Sequence, residues 1–267
     1  MCDIIIAHLI LFLEQHKMII FHTDLDNTLI YSYKHDIGKD KQCVELYHGR
    51  EISFVTRKTY EMLKVLKEKI LIIPTTTRTI EQYERIHFGL GKFQYALVCN
   101  GGVLLENGKE NWDWYWQSHE IVAECQAGME QSRYLLQNDP DRNFDVRNIR
   151  DLFIFTKSRN PQKTVEMLKG SLNTEILDIF SNGTKVYVVP KRLNKGTAVQ
   201  RFKEKLQAEK IVSAGDSEFD IPMLNYSDIG IAPKQLADRY QLNQNVIVMD
   251  NDGIFSEKLL EYIAKKI

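Results

Sequence analysis

Short apolar runs alternate with amphipathic stretches along the chain, the rhythm of an α/β protein whose buried strands are joined by helices. Met18 to Thr23 (MIIFHT) reads as a buried strand running straight into the acidic segment DLDNT at 24–28. Residues 27 to 50 are polar and turn-like, and VELYHGREISFV at 44–55 predicts a hairpin with His48-Gly49 at its tip. Thr56 is placed to cap a helix reaching about Glu68, with Met62, Leu63, Val65 and Leu66 on one side. Ile70 to Ile73 predicts the next buried strand, followed by the TTTRT segment at 75–79 and a helix over Ile80 to Phe88. Tyr95 to Cys99 is a further strand, stopped by Asn100-Gly101-Gly102.

The rhythm then changes. Trp112, Trp114 and Trp116 alternate as they would on one face of a strand, a helix is expected over 119–137, and NDPDRN at 138–143 is a loop. DLFIFTK, a helix near 161–169, TEILDIFS and KVYVVP follow, a set that suits a small open sheet with helices on one face. This stretch reads as an insertion, because buried strands resume at Lys210 to Ala214, in DIGIA and in NVIVM, each between helices. The expected organisation is therefore a doubly covered parallel-sheet core from 1–107 and 191–267, with an α+β domain at 108–190 inserted in it.

Charge narrows the partners. With 35 Lys+Arg against 36 Asp+Glu the net charge is −1, which argues against a nucleic-acid binder or a polybasic membrane anchor. Cysteines at 2, 43, 99 and 125 form no CxxC pair, as in a reduced, cytoplasmic chain rather than a disulfide framework. No HxxxH occurs among the seven histidines, so a histidine-rich zinc site is not expected. Ile4 to Leu13 is apolar apart from His8, but it is too short for a bilayer span and lacks a basic leader. It is expected to be a short packed helix or a segment ahead of the true start.

Two acidic motifs carry the chemistry. Asp24 and Asp26 sit two residues apart where a strand ends, so both can be aimed into the crevice at its carboxyl end. By itself DxDxT is also an ordinary turn. Gly215-Asp216-Ser217-Glu218-Phe219-Asp220 follows a second strand-like run, and it too has a plainer reading as a turn with a helix cap. Four carboxylates converging in one crevice repel unless a cation neutralises them, and an all-oxygen donor set suits Mg²⁺. Thr76 and Lys195, each opening a predicted helix, are natural contacts for phosphate oxygens.

Taken in order, DLDNT, the threonine after the second core strand, Lys195 and GDSEFD make the sequence resemble the haloacid dehalogenase-like (HAD) superfamily, specifically its phosphatases. The insertion after Asn100-Gly101-Gly102 resembles that of the members with a C2-type cap, among them sucrose-phosphate and mannosylphosphoglycerate phosphatases and phosphomannomutases. PTTTRTIEQYERI and YALVCNGG are similar to a sucrose-phosphatase-like subgroup associated with tellurium resistance. The usual T-G-R of the second motif is here Thr76-Thr77-Arg78, which leaves Thr75 and Thr77 as alternatives to Thr76.

The resemblance implies a phosphatase for a small phosphorylated metabolite, a sugar phosphate or phosphoglycerate derivative. It makes Asp24 the nucleophile that forms an aspartyl-phosphate and Asp26 the general acid and base. Thr76 and Lys195 would hold phosphoryl oxygens. Asp24, the backbone carbonyl of Asp26 and Asp216 would hold Mg²⁺, with Asp220 ligating it or positioning its shell. A phosphomutase, or a non-catalytic protein that binds phosphometabolites, remains the alternative at this point. Gly89-x-Gly91 is no dinucleotide fingerprint, because Gln94 stands where its third glycine would be. The three tryptophans are expected to pack within the insertion, and Arg142, Arg147 and Arg150 to form a solvated charged face.

Overall fold

A computed structural model describes residues 18–266; the apolar run at Ile4–Leu13 lies outside them. The first stretch comprises β1 (Ile19–Thr23), β2 (Tyr31–Ser32), β3 (Lys41–Tyr47), β4 (Arg50–Thr56), helix α1 (Arg57–Lys67), β5 (Leu71–Pro74) and α2 (Ile80–Glu84). There follow β6 (Tyr95–Val98), β7 (Val103–Glu106), β8 (Lys109–Glu110), α3 (Trp112–Val122), α4 (Gln126–Gln137), β9 (Arg147–Ile149), β10 (Phe153–Lys157), α5 (Pro161–Ser171), β11 (Leu177–Asn182) and β12 (Lys185–Pro190). The chain closes with α6 (Lys195–Leu206), β13 (Lys210–Ala214), α7 (Ile221–Tyr226), β14 (Ile229–Pro233), α8 (Lys234–Ala237), β15 (Val246–Met249) and α9 (Phe255–Lys266).

The described chain divides into two compact units: one of residues up to Pro74 with 85–93 and 199 onward, the other of 75–84 and 94–198. The first unit is built on a parallel five-stranded sheet, β15-β14-β13-β1-β5. Ile20, Phe21, His22 and Thr23 of β1 are all buried, the near-continuous burial expected of a central parallel strand. His22 is neutral there, because burial pushes its imidazole down to about 3. The register runs Thr23 opposite Ala214 on one side and Pro74 on the other, so β1, β13 and β5 end level with one another.

The expected hairpin is present and longer than the motif suggested. His48 (φ 49°) and Gly49 (φ 73°) form its two-residue tip, where left-handed backbone matches the twist of the strands. A bulge in β3 between Cys43 and Leu46 turns both Val44 and Glu45 inward, where strict alternation would put one of them outside. Glu45 is thereby buried as a carboxylate, accepting from Ser53 Oγ at 2.6 Å and from Arg85 at 3.1 Å. His87 N donates to Val44 O at 2.7 Å, and Ile86 bridges Glu45. This pairing ends α2 at Glu84 rather than at Phe88, because the backbone beyond Glu84 bonds to β3 instead of continuing the helix.

Helix α1 begins as its sequence indicates, with Thr56 Oγ1 accepting from Thr59 N at 3.1 Å. Leu63 and Leu66 are buried, while Val65, two positions from Leu63 and so well round the helix, is exposed. Thr59 Oγ1 meets Ser256 Oγ at 2.7 Å and Ser256 N donates to Tyr31 Oη at 3.0 Å, which ties β2, α1 and α9 through buried hydroxyls.

The second unit holds an antiparallel sheet, β11-β12-β10-β9, and a β6-β7-β8 meander. Helices α4 and α5 cover one face of the four-stranded sheet around Met129, Leu136, Ile154, Leu168, Ile179 and Val188. The tryptophan alternation does not mark a strand. Asn111 caps α3 by accepting from Trp114 N at 2.8 Å, so helical period replaces the period of two. Trp114 is buried and donates its indole N–H to Gly101 O at 3.0 Å, whereas Trp112 and Trp116 are exposed one turn apart. Nor is Arg150 a solvated charge: it meets Glu110 at 2.5 Å and lies 4.4 Å from the Tyr115 ring centroid. No described helix is long and apolar enough to cross a membrane.

The Glu45–Arg85 pair is the test of the hairpin's anchoring. Arg85→Met should strip a buried carboxylate of its cation, cost about 3 kcal/mol in urea unfolding, and speed amide exchange across β3 and β4. An unchanged midpoint with unchanged exchange would contradict it.

Candidate active site

The parallel sheet places its chemistry where β1 and β13 end. Asp24 N donates to Ala214 O at 2.9 Å, so the first residue beyond β1 is fastened to the last residue of β13. One carboxylate oxygen each from Asp24, Asp216 and Asp220 then lies within 4.8 Å of the others. Asp24 and Asp220 are buried and Asp216 is half-buried.

Each acid is held separately. The turn after Asp24 is tight: Asn27 takes left-handed backbone (φ 58°), its N–H donates to Ile30 O at 2.7 Å, and Thr28 N donates to Leu25 O at 3.2 Å. That turn aims Asn27 Nδ2 at Asp216 Oδ2 (3.3 Å) and Thr28 Oγ1 at Asp216 Oδ1 (3.4 Å). Asp220 is fixed more firmly, since one oxygen accepts from Asp216 N (3.1 Å), Ser217 N (2.9 Å) and Ser217 Oγ (2.8 Å). Ser217 and Asp220 thus cap the short turn at 218–220 reciprocally.

Gly215 makes this possible. A Cβ at that position would stand 2.3 Å from both Cβ and Cγ of Asp220, so only glycine lets the Asp220 carboxylate fold back over the loop.

Asp26 lies two residues beyond Asp24 on the same turn, half-buried, and bridges Ile30. Its carboxylate is not part of the three-acid cluster. Thr76 and Lys195 belong to the second unit. There, Thr75 bridges Leu97, Thr76 N donates to Leu97 O at 2.8 Å, and Thr76 O accepts from Asn100 N at 3.0 Å. Thr76 does not open a helix: its Oγ1 accepts from Arg78 N at 3.2 Å, and Thr79 and Gln82 cap α2 instead. Lys195 does open one. It is the first residue of α6, behind the Asn194 cap that accepts from Thr197 N at 2.9 Å, and it is 1% exposed.

Three oxygen donors of formal charge −3, two of them buried, form a set suited to a hard divalent cation of the Mg²⁺ kind. Asn27, Thr28 and Ser217, which position the acids, were not singled out from the sequence. Their signal lay inside the two motifs, at the positions between the acids.

The profile of the haloacid dehalogenase-like hydrolases matches residues 109–255, more than half of the chain. The chain belongs to this family. Among curated relatives, the hydrolase is 26% identical over 167 residues to a phosphoglycolate phosphatase of Methanobrevibacter smithii, covering 59% of this chain and 71% of that one. It is 21% identical over 215 residues to the phosphoglycolate phosphatase of Methanopyrus kandleri, covering 77% and 90%. Among solved structures it is similar in fold to the sucrose-phosphatase of Synechocystis in complex with sucrose and phosphate, with a TM-score of 0.64 at 16% identity, covering 94% and 98% of the two chains.

Gly215→Ala should be costly out of proportion to its size. Overpacking against Asp220 is expected to lower stability by about 1–3 kcal/mol, read by thermal unfolding; a variant as stable as the parent would mean that the close approach is not required.

Proposed function

We propose that this hydrolase is a phosphatase that acts on a small phosphorylated metabolite, a sugar phosphate or phosphoglycerate derivative, with Mg²⁺ and through an aspartyl-phosphate on Asp24. The observation that carries the reading is the convergence of Asp24, Asp216 and Asp220 at the carboxyl ends of adjacent parallel strands. Relatives named for phosphoglycolate and sucrose phosphate support the size and chemistry of the substrate.

In this proposal Asp24, Asp216 and the backbone carbonyl of Asp26 hold the cation, and Asp220 ligates it or fixes its surroundings. When bound, the cation supplies charge neutralisation for Asp24 and the phosphoryl oxygens. A carboxylate oxygen of Asp24 attacks phosphorus in line, the P–O bond to the leaving group breaks, and Asp26 gives its proton to the departing alkoxide. Asp26 then takes a proton from water, which attacks phosphorus and frees Asp24. Thr76 and Lys195 serve the phosphoryl oxygens, Lys195 with a charge that electrostatic stabilisation of the transferring group requires. Residues 108–190, as a cap on a core of 1–107 and 191–267, select the leaving group.

Two experiments test this. Asp216→Asn should raise the Mg²⁺ concentration needed for half-maximal phosphate release and lower the rate, and chelator should silence the parent; full activity in excess chelator would contradict the metal requirement. Asp26→Ala should slow the first step on a sugar phosphate about 10²–10⁴-fold, yet spare the first step on nitrophenyl phosphate, whose leaving group needs no proton. With that substrate the variant should give a burst of nitrophenolate stoichiometric with enzyme. Equal loss of the first step on both substrates would remove Asp26 as the acid.

A further inference from the structure

The hairpin that follows the first acidic motif carries a cavity of about 680 Å³ lined by Tyr33, Tyr47, His48, Arg50, Glu51 and Ile52. That volume lies within the range of small-molecule sites. All six residues belong to the first unit, and none belongs to the acidic cluster. Tyr33 and Tyr47 are 61% and 47% exposed. Tyr33 N donates to Ile52 O at 3.1 Å, which holds the first tyrosine beside β4. Tyr47 is held by its neighbours: the Arg85 guanidinium stands 4.8 Å from its ring centroid, and Arg85 is itself anchored to the buried Glu45. His48 packs at 4.1 Å on the same ring.

Against this prearranged aromatic wall stand two charges with no commitment. Among the described residues, neither the Arg50 guanidinium nor the Glu51 carboxylate makes a hydrogen bond or ion pair, although the two are neighbours in sequence. Their formal charges cancel. An anion such as phosphate would meet the Glu51 carboxylate, and a cation would meet Arg50. An apolar ligand would leave both charges and two phenol groups unused. A neutral ring bearing hydroxyl groups fits all of them: its C–H face lies on tyrosine, and its hydroxyls both accept from Arg50 and donate to Glu51.

We propose that this hairpin cavity is a binding site for a neutral saccharide ring, separate from the phosphoryl site. It does not rest on the phosphatase reading, because it needs neither Asp24 nor a metal. Arg85 and Glu45 hold Tyr47 before any ligand arrives, so little ordering accompanies binding.

The test uses the full chain in chelator, without phosphate, titrated with glucose and with sucrose while backbone amide shifts are followed by NMR. Saturable shifts at residues 33 and 46–52 are expected, with affinity in about the millimolar range. Tyr33→Ala and Glu51→Gln should each weaken binding about tenfold or more, while both variants turn over nitrophenyl phosphate at the parent rate. Absence of saturable shifts at the hairpin with both sugars would overturn the proposal. So would undiminished binding in both variants, or an equal response of the same amides to inorganic phosphate.

Discussion

Three carboxylates forced within 4.8 Å of one another are the constraint around which the first unit is arranged. At an effective dielectric near 20, each pair of ionised groups at that distance repels by about 3 kcal/mol. Free side chains would turn apart, and hydrogen bonds from the surrounding turns help to hold these together. Asp24 is fastened through its backbone to β13, Asp216 accepts from Asn27 and Thr28, and Asp220 accepts three donors on one oxygen. The fold spends these local hydrogen bonds on holding like charges together, which is what a site built to receive a cation requires.

The same economy explains the residues around the acids. Gly215 is small because Asp220 occupies the space its Cβ would need, and Asn27 takes left-handed backbone because the chain must reverse within a few residues of Asp24. Level endings of β1, β5 and β13 convert these local turns into one crevice edge. The hairpin that leaves this turn is anchored in its own right by the buried Glu45.

Much of this was legible in the amino-acid pattern, for physical reasons that differ from element to element. Buried parallel strands such as β1 and β13 show as continuous apolar runs, and the acids directly behind them mark the strand ends. The Thr56 cap and the His48-Gly49 tip were readable because their local chemistry decides the local conformation. Where tertiary contacts or a cap compete with the pattern, reading failed. Helix α2 stops early because β3 takes its backbone partners. The three tryptophans follow the Asn111 cap rather than their alternation. Strands as short as β8 (Lys109–Glu110) and β9 (Arg147–Ile149) hold too few residues for an alternation to show. Within the site the acids stood out, while the polar residues that aim them were hidden between, since Asn27, Thr28 and Ser217 look like any turn.

The central claim is that Asp24 receives a phosphoryl group beside a cation held by the acidic cluster. A crystal structure of the full chain grown with Mg²⁺ and beryllium fluoride, a mimic of a phosphoryl group bound to carboxylate, tests it directly. The account predicts beryllofluoride bonded to a carboxylate oxygen of Asp24, with Mg²⁺ contacting both Asp24 and Asp216. Beryllofluoride and Mg²⁺ bound elsewhere, or an Asp24 left bare at saturating concentrations of both, would contradict it.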